Sequence, residues 1–327
     1  MPPGFGPIAG LKVGHAQDER ALTGCTVFLA EGGMVAACDA RGGATGTREL
    51  GVLAPGHIAE RIQGLVFAGG SAFGLDAAGG VMRWLEERGI GFDAGVARVP
   101  IVPAAILFDL AIGDAKRRPD AAMGYAAAGA AAAGPVTEGN VGAGTGACVG
   151  KINGIPQAMK AGIGCWTEEC AGRDGGAVCV AALAAVNAFG DVRDPVTGRL
   201  LAGARAAPGS RELLDTAAIL RQGLAPESFG RPAAPQGNTV LVTVATDAAL
   251  IRAEAGRLAV MASAGVARAV SPAFTRFDGD MVFVLSCGDR RASVDALGAA
   301  AAEAVANAIV RGVTQARSAG GLPGLGG

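Results

Sequence analysis

Histidine is scarce in this chain of 327 residues: His15 and His57 are the only two. A catalytic zinc centre and a Ser-His-Asp triad both draw on histidine, so its scarcity weighs against either. Aromatic residues make up 4% of the chain although half of it is apolar. Ala and Gly supply the bulk instead, which predicts a core closed by near approach of backbones. Charge of one sign is also lacking, with 28 basic and 29 acidic residues. Such a balance offers nothing to nucleic acid or to a membrane surface. The apolar stretch at 126–133 is Ala-Gly rich and well short of the roughly 20 residues that cross a bilayer. Residues 1–5 have no basic segment and no apolar segment of the kind that opens a secretory signal. The seven cysteines are therefore expected to be reduced thiols in a cytoplasmic protein. Cys165 and Cys170, with Cys179 beyond them, lack the second pair that a zinc site needs. Neither a metal nor an organic cofactor is expected.

What is present reads as alternating strands and helices. Strands are expected at 11–15, 25–30 and 34–39, with Glu31-Gly32-Gly33 as a hairpin turn between the last two. A strand at 64–67 runs into Gly69-Gly70-Ser71-Ala72-Phe73-Gly74, and a helix follows to Arg88, capped by Gly89. Ser71 invites comparison with a nucleophile elbow. That pattern needs Gly-x-Ser-x-Gly, and position 73 is Phe. The turn can either present backbone N–H groups to an anion or simply use Ser71 as a cap. An extended segment covers 99–110, and an Ala-rich helix covers 121–133. Glu138-Gly139-Asn140-Val141-Gly142-Ala143-Gly144-Thr145-Gly146 looks like a phosphate loop. It lacks Gly-Lys-Ser/Thr, and Val149-Gly150-Lys151 points to a strand where a helix should start. Two strands, 157–167 and 176–189, each carry one polar residue among small or apolar ones, Lys160 and Asn187. A helix at 211–221 precedes a loop with Gly230, Pro232, Pro235 and Gly237. A strand at 239–246, a helix at 247–270, a strand at 281–286 and a helix at 293–315 complete the pattern. The Gly-rich tail from 320 to 327 is expected to be mobile.

Four polar features in this pattern share one chemistry. Thr239 opens a buried strand directly after Asn238, and Asp278-Gly279-Asp280 stands at the entrance of another. A chain cut between Asn238 and Thr239 would give Thr239 a free α-amine. With an ordinary pKa of about 7.7–8.0, that amine is partly neutral near pH 7 and can act as a base. One residue then provides both nucleophile and base, with no histidine. Lys160 can lower the pKa of the amine and help hold an oxyanion, and Asn187 can donate an N–H to the same oxyanion. Asp278 and Asp280 can orient the hydroxyl or the amine.

Several motifs also resemble those of the L-aminopeptidase/D-esterase (DmpA-like) peptidases. They are Gly69-Gly70-Ser71-Ala72-Phe73-Gly74-Leu75-Asp76-Ala77-Ala78, the Glu138 to Gly146 loop, Gly237-Asn238-Thr239 and Phe277-Asp278-Gly279-Asp280. This family includes β-peptidyl aminopeptidases and the nylon-oligomer endohydrolase, and the resemblance runs over almost the whole chain in order. It implies an α/β fold, a four-layer αββα sandwich shared with ornithine acetyltransferases. It also implies self-cleavage of one domain into 1–238 and 239–327, and an assembly of α/β heterodimers, often tetrameric. The catalytic Lys, Asn, Thr and Asp pair of the nylon-oligomer hydrolase fall on Lys160, Asn187, Thr239, Asp278 and Asp280. Aminopeptidase members use Ser as nucleophile, a Ser-x-Glu pair, and a Glu-x-Tyr-Asp stretch whose Glu receives the substrate amine. Here the corresponding stretch is Pro100-Ile101-Val102-Pro103-Ala104-Ala105-Ile106-Leu107, without that Glu. The expected activity is hydrolysis of small linear amides such as 6-aminohexanoate oligomers or peptides, through a Thr acyl-enzyme. An aminopeptidase is the alternative, and an acyltransferase of the same fold is a more distant one.

Overall fold

The computed structural model describes residue 5, residues 8–223 and residues 237–327. The loop positions Gly230, Pro232 and Pro235 lie outside the described residues. One strand of 18 residues, Thr23–Ala40, joins two β-sheets. The hairpin expected at Glu31-Gly32-Gly33 does not form. The pairing register shifts between Leu29 and Met34, and Gly33 takes a left-handed φ of 72°. Glycine supplies that conformation without steric cost, and an irregularity of this kind bends a strand rather than reversing it. Residues before the bend are flanked by strands on both sides, which leaves no edge for a hairpin partner.

The strands of the two sheets are β1 (Lys12–Asp18), β2 (Thr23–Ala40), β3 (Thr47–Arg48), β4 (Ile62–Ala68), β5 (Ala104–Ile106), β6 (Ile163–Ala171), β7 (Ala177–Asn187), β8 (Thr239–Ala248) and β9 (Met281–Arg290). The longer helices are α1 (Ala77–Glu86), α2 (Ala121–Gly129), α3 (Arg252–Ala269) and α4 (Val294–Thr314). The first sheet runs β1-β2-β4-β5-β3 and the second runs β6-β7-β8-β9-β2. β4 with β5 and β8 with β9 are parallel, and the other pairs are antiparallel.

Strand alternation sorts the apolar residues into three layers of core. Val240, Val242 and Val244 face α3 and α4, where they meet Leu258, Ala262, Leu297 and Val305. Leu241, Leu183 and Phe283 point the other way, onto Phe28, Ile62, Leu65 and Phe67 of the first sheet. Val27, Leu29 and Val66 on its far face meet Val81 and Leu85 of α1 and Met123 and Ala127 of α2. Each fully buried Val or Leu contributes about 1.5–3 kcal/mol. The layers are helix, sheet, sheet, helix, the sandwich that the motifs imply.

The scarcity of large side chains shows in how closely the layers approach. A Cβ on Gly80 of α1 would stand 1.7 Å from Ala121 O, and one on Gly124 of α2 would stand 1.9 Å from Ala77 O. α4 is long and apolar enough by composition to cross a membrane. In the structure its Leu297, Ala301, Val305 and Ile309 are buried against the second sheet.

Other expectations shift in detail. A 3₁₀ turn, Ser71–Asp76, comes before α1, and β8 runs to Ala248, so α3 starts only at Arg252. The strand expected over 157–167 divides into Met159–Lys160, paired with Cys148–Val149, and β6. The tail is docked instead of mobile. Pro323 O accepts from Lys160 N at 2.9 Å, Gly326 N donates to Ala316 O at 2.8 Å, and Leu322 is buried. These bonds and one buried apolar side chain offset the flexibility of its glycines.

Candidate active site

Three strand ends meet at one edge of the second sheet. Antiparallel pairing sets Asn187, the last residue of β7, directly opposite Thr239, the first of β8. Parallel pairing of β8 with β9 brings their two entrances side by side, with Leu241 opposite Met281. Asn238 and Asp278 continue that pairing as an isolated bridge. The topology thus gathers Asn187, Thr239, Asp278 and Asp280 from distant parts of the chain.

The hydroxyl of Thr239 lies against the carbonyl it would attack. Thr239 Oγ1 donates to Asn238 O at 2.5 Å, and Gly279 N donates to the same oxygen at 2.7 Å. The position of Gly279 requires glycine, since a Cβ there would stand 2.7 Å from Thr239 Oγ1. Gly237 requires it more strongly. Its φ is 62°, and a Cβ would meet the Phe108 side chain at 1.9 Å. Two glycines therefore fix the peptide before Thr239 from opposite sides. Thr239 is 2% exposed and Asn238 is 1% exposed, so this bond is enclosed. Asn238 Oδ1 is buried and has no hydrogen-bond partner among the described residues.

A lysine does stand beside Asn187, but it is Lys151. Its Nζ donates to Asn187 Oδ1 at 2.7 Å, Asn187 O at 2.9 Å and Gly237 O at 3.1 Å, which uses all three ammonium hydrogens. Asn187 Oδ1 also accepts from Cys148 N at 3.1 Å. The amide nitrogen is thereby turned outward, onto Phe108 O at 3.0 Å and Gly237 O at 3.4 Å. Burial lowers the pKa of Lys151, partly opposed by the neighbouring carboxyls of Asp278, Asp109 and Asp280.

Lys160, the lysine expected at the site, makes no bond to Asn187 or Thr239. It pairs with Cys148 across a short hairpin, and its Nζ is taken by the carbonyls of Gly144, Ala147 and Ala161 at 3.2, 2.8 and 2.5 Å. Burial lowers its pKa to about 8. The two lysines lie close in sequence, and either could be read as the buried one. The signal that separates them is Gly150. Its φ is 74°, and a Cβ would strike Ala204 N at 1.9 Å, so the chain must turn there and send the next residue inward.

Neither Asp278 nor Asp280 bonds the Thr239 hydroxyl. Asp280 accepts from Val240 N at 2.7 Å and from Phe274 N at 3.0 Å. Asp278 accepts from Phe189 N at 3.1 Å and from Thr275 N and Oγ1 at 3.1 and 2.5 Å. The pair holds the backbone around Thr239, at Val240 and beyond Asn187 at Phe189. Burial first, and then the neighbouring Asp278, push Asp280 up to about 8. Burial raises Asp278 too.

Asp109 was not singled out by the sequence. It is 4% exposed, and it accepts from Gly70 N and Thr23 Oγ1, each at 2.7 Å. Burial raises its pKa to about 6. It braces the Gly70-Ser71 turn against Phe108, whose carbonyl meets Asn187. Ser71 itself has a left-handed φ of 56° and makes no side-chain cap. The N–H groups of the phosphate-loop lookalike are committed internally. Gly142 N donates to Gln17 Oε1 and Ala143 N to Thr26 Oγ1, each at 3.1 Å. That loop serves instead as an acceptor for Lys160.

A buried hydroxyl residue at the start of a central strand, within two sheets flanked by helices, is an arrangement shared with amide hydrolases of the N-terminal-nucleophile fold. An L-aminopeptidase/D-Ala-esterase/amidase from Ochrobactrum anthropi, described as a variant of that fold, is similar with a TM-score of 0.70 and 20% identity, over 97% of this chain and 88% of that one. A Burkholderia sp. β-aminopeptidase has a TM-score of 0.65 and 25% identity, over 99% and 92%. The chain belongs to peptidase family S58, whose profile matches residues 7–325, and it is a hydrolase acting on amide bonds. An uncharacterized aminopeptidase of Mycobacterium tuberculosis (strain ATCC 25618 / H37Rv) is 41% identical over 97% of this chain and 95% of its own. A 6-aminohexanoate-oligomer endohydrolase of Kocuria sp. (strain KY2) is 28% identical over 92% and 83%.

Proposed function

We propose that the chain cuts itself between Asn238 and Thr239 and then hydrolyses linear amides with Thr239 as an N-terminal nucleophile. The observation that carries this reading is the shared carbonyl of Asn238, approached by the Thr239 hydroxyl and polarised by Gly279 N–H. In the first reaction Thr239 Oγ1 bonds to the Asn238 carbonyl carbon, the C–N bond breaks, and the nitrogen takes the hydroxyl proton. Water then cleaves the ester and leaves a free α-amine on Thr239. The products are 1–238 and 239–327.

In the second reaction the α-amine takes the hydroxyl proton as Thr239 attacks a substrate carbonyl, and passes it to the departing amine. Water releases the acyl group. Lys151 and Asn187 Nδ2 meet at Gly237 O in the uncut chain, and departure of that segment frees both donors for the substrate oxyanion. Asp278 and Asp280 position the strands around Thr239. Lys151 takes the role that the sequence gives to Lys160.

The substrate class is linear amides such as 6-aminohexanoate oligomers or peptides, in line with the endohydrolase relatives. The segment 104–107 carries no carboxylate to receive a substrate amine, which favours internal amides. A second reading, an aminopeptidase, is favoured by the name of the relatives at 41% identity. The working unit is proposed as a cytoplasmic homo-oligomer of cut chains. Intact-mass measurement of purified protein tests the cut. Two chains ending at Asn238 and starting at Thr239 are expected, and a fully active single chain would overturn the mechanism. Comparable hydrolysis of N-blocked and free-amine oligoamides is expected, whereas strict need for a free amine would establish the aminopeptidase.

A further inference from the structure

A cavity of about 810 Å³ opens beside the docked tail. Thr239, Asn187, Lys151, Asp278 and Asp280 are not among its lining residues. Its apolar wall includes Met159, Leu201, Leu213, Leu322, Pro323 and Leu325. Among the described residues lining it, Arg205 and Arg211 are the only ionisable ones, and none is an acid.

Arg205 is the unusual one. It is 4% exposed, and among the described residues no carboxylate pairs with it. Its Nε and Nη2 donate to Ala158 O at 3.2 Å and Pro156 O at 2.7 Å, so the guanidinium plane is fixed. Nη1 has no hydrogen bond to a described residue, and Arg205 lines the cavity. A buried cation without a counter-charge is costly. An anion in the cavity would remove that cost, and a rigid guanidinium is well suited to a carboxylate.

We propose that this cavity binds a small aliphatic carboxylate. Arg205 Nη1 takes the carboxylate, the apolar wall takes the chain, and Arg211 at the exposed rim adds attraction. An inorganic anion would leave the wall unused, and an alcohol or amine would leave Arg205 uncompensated. Met159 lines the cavity, and the next residue, Lys160, turns to the opposite side, toward Gly144 and Ala147. Because none of Thr239, Asn187, Lys151, Asp278 and Asp280 lines it, the site is separate from the one at Thr239, and its existence does not rest on the role given to Thr239.

Calorimetric titration of the full-length protein with hexanoate tests this, with acetate, 1-hexanol and hexylamine as controls. Saturable binding of hexanoate is expected, with each control at least about tenfold weaker. Arg205→Met should weaken hexanoate binding by about tenfold or more, and Arg211→Asp by a smaller factor. If Arg205→Met does not fold, Arg211→Asp at the exposed rim and Leu201→Asp or Leu213→Asp in the half-buried wall carry the test. Absence of saturable binding, equal affinity for 1-hexanol, or unchanged affinity in the folded variants would overturn the proposal. So would loss of binding in Asn187→Ala with retention in Arg205→Met, since the ligand would then sit at the nucleophile. The readout is heat of binding, so failure of the self-cleavage reading would leave it interpretable.

Discussion

Lys151 bonds both oxygens of Asn187, the side-chain Oδ1 at 2.7 Å and the main-chain O at 2.9 Å. The ammonium thus fixes which end of the carboxamide is which. With Oδ1 saturated by Lys151 and Cys148 N, only the NH₂ end can face Gly237 O. A residue able to flip becomes a donor of one orientation, as stabilisation of a developing oxyanion requires.

Lys151→Met and Asn187→Ala should each lower kcat/KM by roughly 10²–10³, the effect of removing one oxyanion donor. Lys160→Met should behave differently. It leaves the carbonyls of Gly144, Ala147 and Ala161 without their donor, so it should lower stability by about 1–3 kcal/mol and spare the rate of the folded fraction. Steady-state kinetics beside denaturant melts of all three variants separate the roles. Equal kinetic loss in Lys160→Met, with stability intact, would return the catalytic assignment to Lys160.

Thr239→Ala should remain one chain and show no hydrolysis. Thr239→Ser keeps a hydroxyl and a future amine, and should be cut and retain part of the activity. Mass spectrometry and a turnover assay on the same samples check both. Activity in Thr239→Ala would remove this residue as the nucleophile.

Gly279→Ala should slow the cut far more than it destabilises the fold, because its Cβ would stand 2.7 Å from the Thr239 hydroxyl. Gly237→Ala combines a left-handed φ with a clash against Phe108, so it should displace the peptide itself. Following chain cleavage over time on denaturing gels reads both effects. A wild-type cleavage rate in Gly279→Ala would show that the hydroxyl does not act from its observed position.

Stability should fall as pH rises from about 4 to about 8. Burial raises Asp280 from the ordinary 3.8 to about 8, so the folded chain binds a proton in that window that the unfolded chain has released. Its contribution is complete below the unfolded pKa and is lost as pH rises through the folded one. Asp278 shifts in the same direction, and Asp109 and Asp191, each raised by burial to about 6, add the same sign over a narrower range. Thermal melts across this window should show a shallower decline in Asp280→Asn than in wild type. An unchanged slope would mean that Asp280 is ionised throughout.

Alternation of apolar residues was enough to locate β8, β9 and the helices after them, and Thr239, Asn187, Asp278 and Asp280 do meet in space. What the sequence did not reveal depends on partners far away in the chain. The 31–33 turn reads as a hairpin because nothing local shows that β1 and β4 already occupy both edges of β2. Lys160 stood out because it sits within an apolar stretch, whereas Lys151 did not, since the turn at Gly150 is dictated by Gly203 and Ala204, more than fifty residues on. Asp109 was hidden for the same reason, as its donors come from Thr23 and Gly70. The tail looked loose because its glycines are visible in the sequence and its anchor on Lys160 is not.

β8 lies between β7 and β9, and β9 in turn pairs with β2. A cut before Thr239 would leave β8 and β9 on one fragment, and β6, β7 and β2 on the other. The intact chain folds by a unimolecular route, but two separated fragments can find each other only by collision. Such a cut would make the molecule depend on its history. It would fold once as a single chain, and after unfolding in dilute solution its return would be opposed by concentration. Its working lifetime would become a matter of rate, set by how slowly β8 and β9 are drawn out from between β7 and β2.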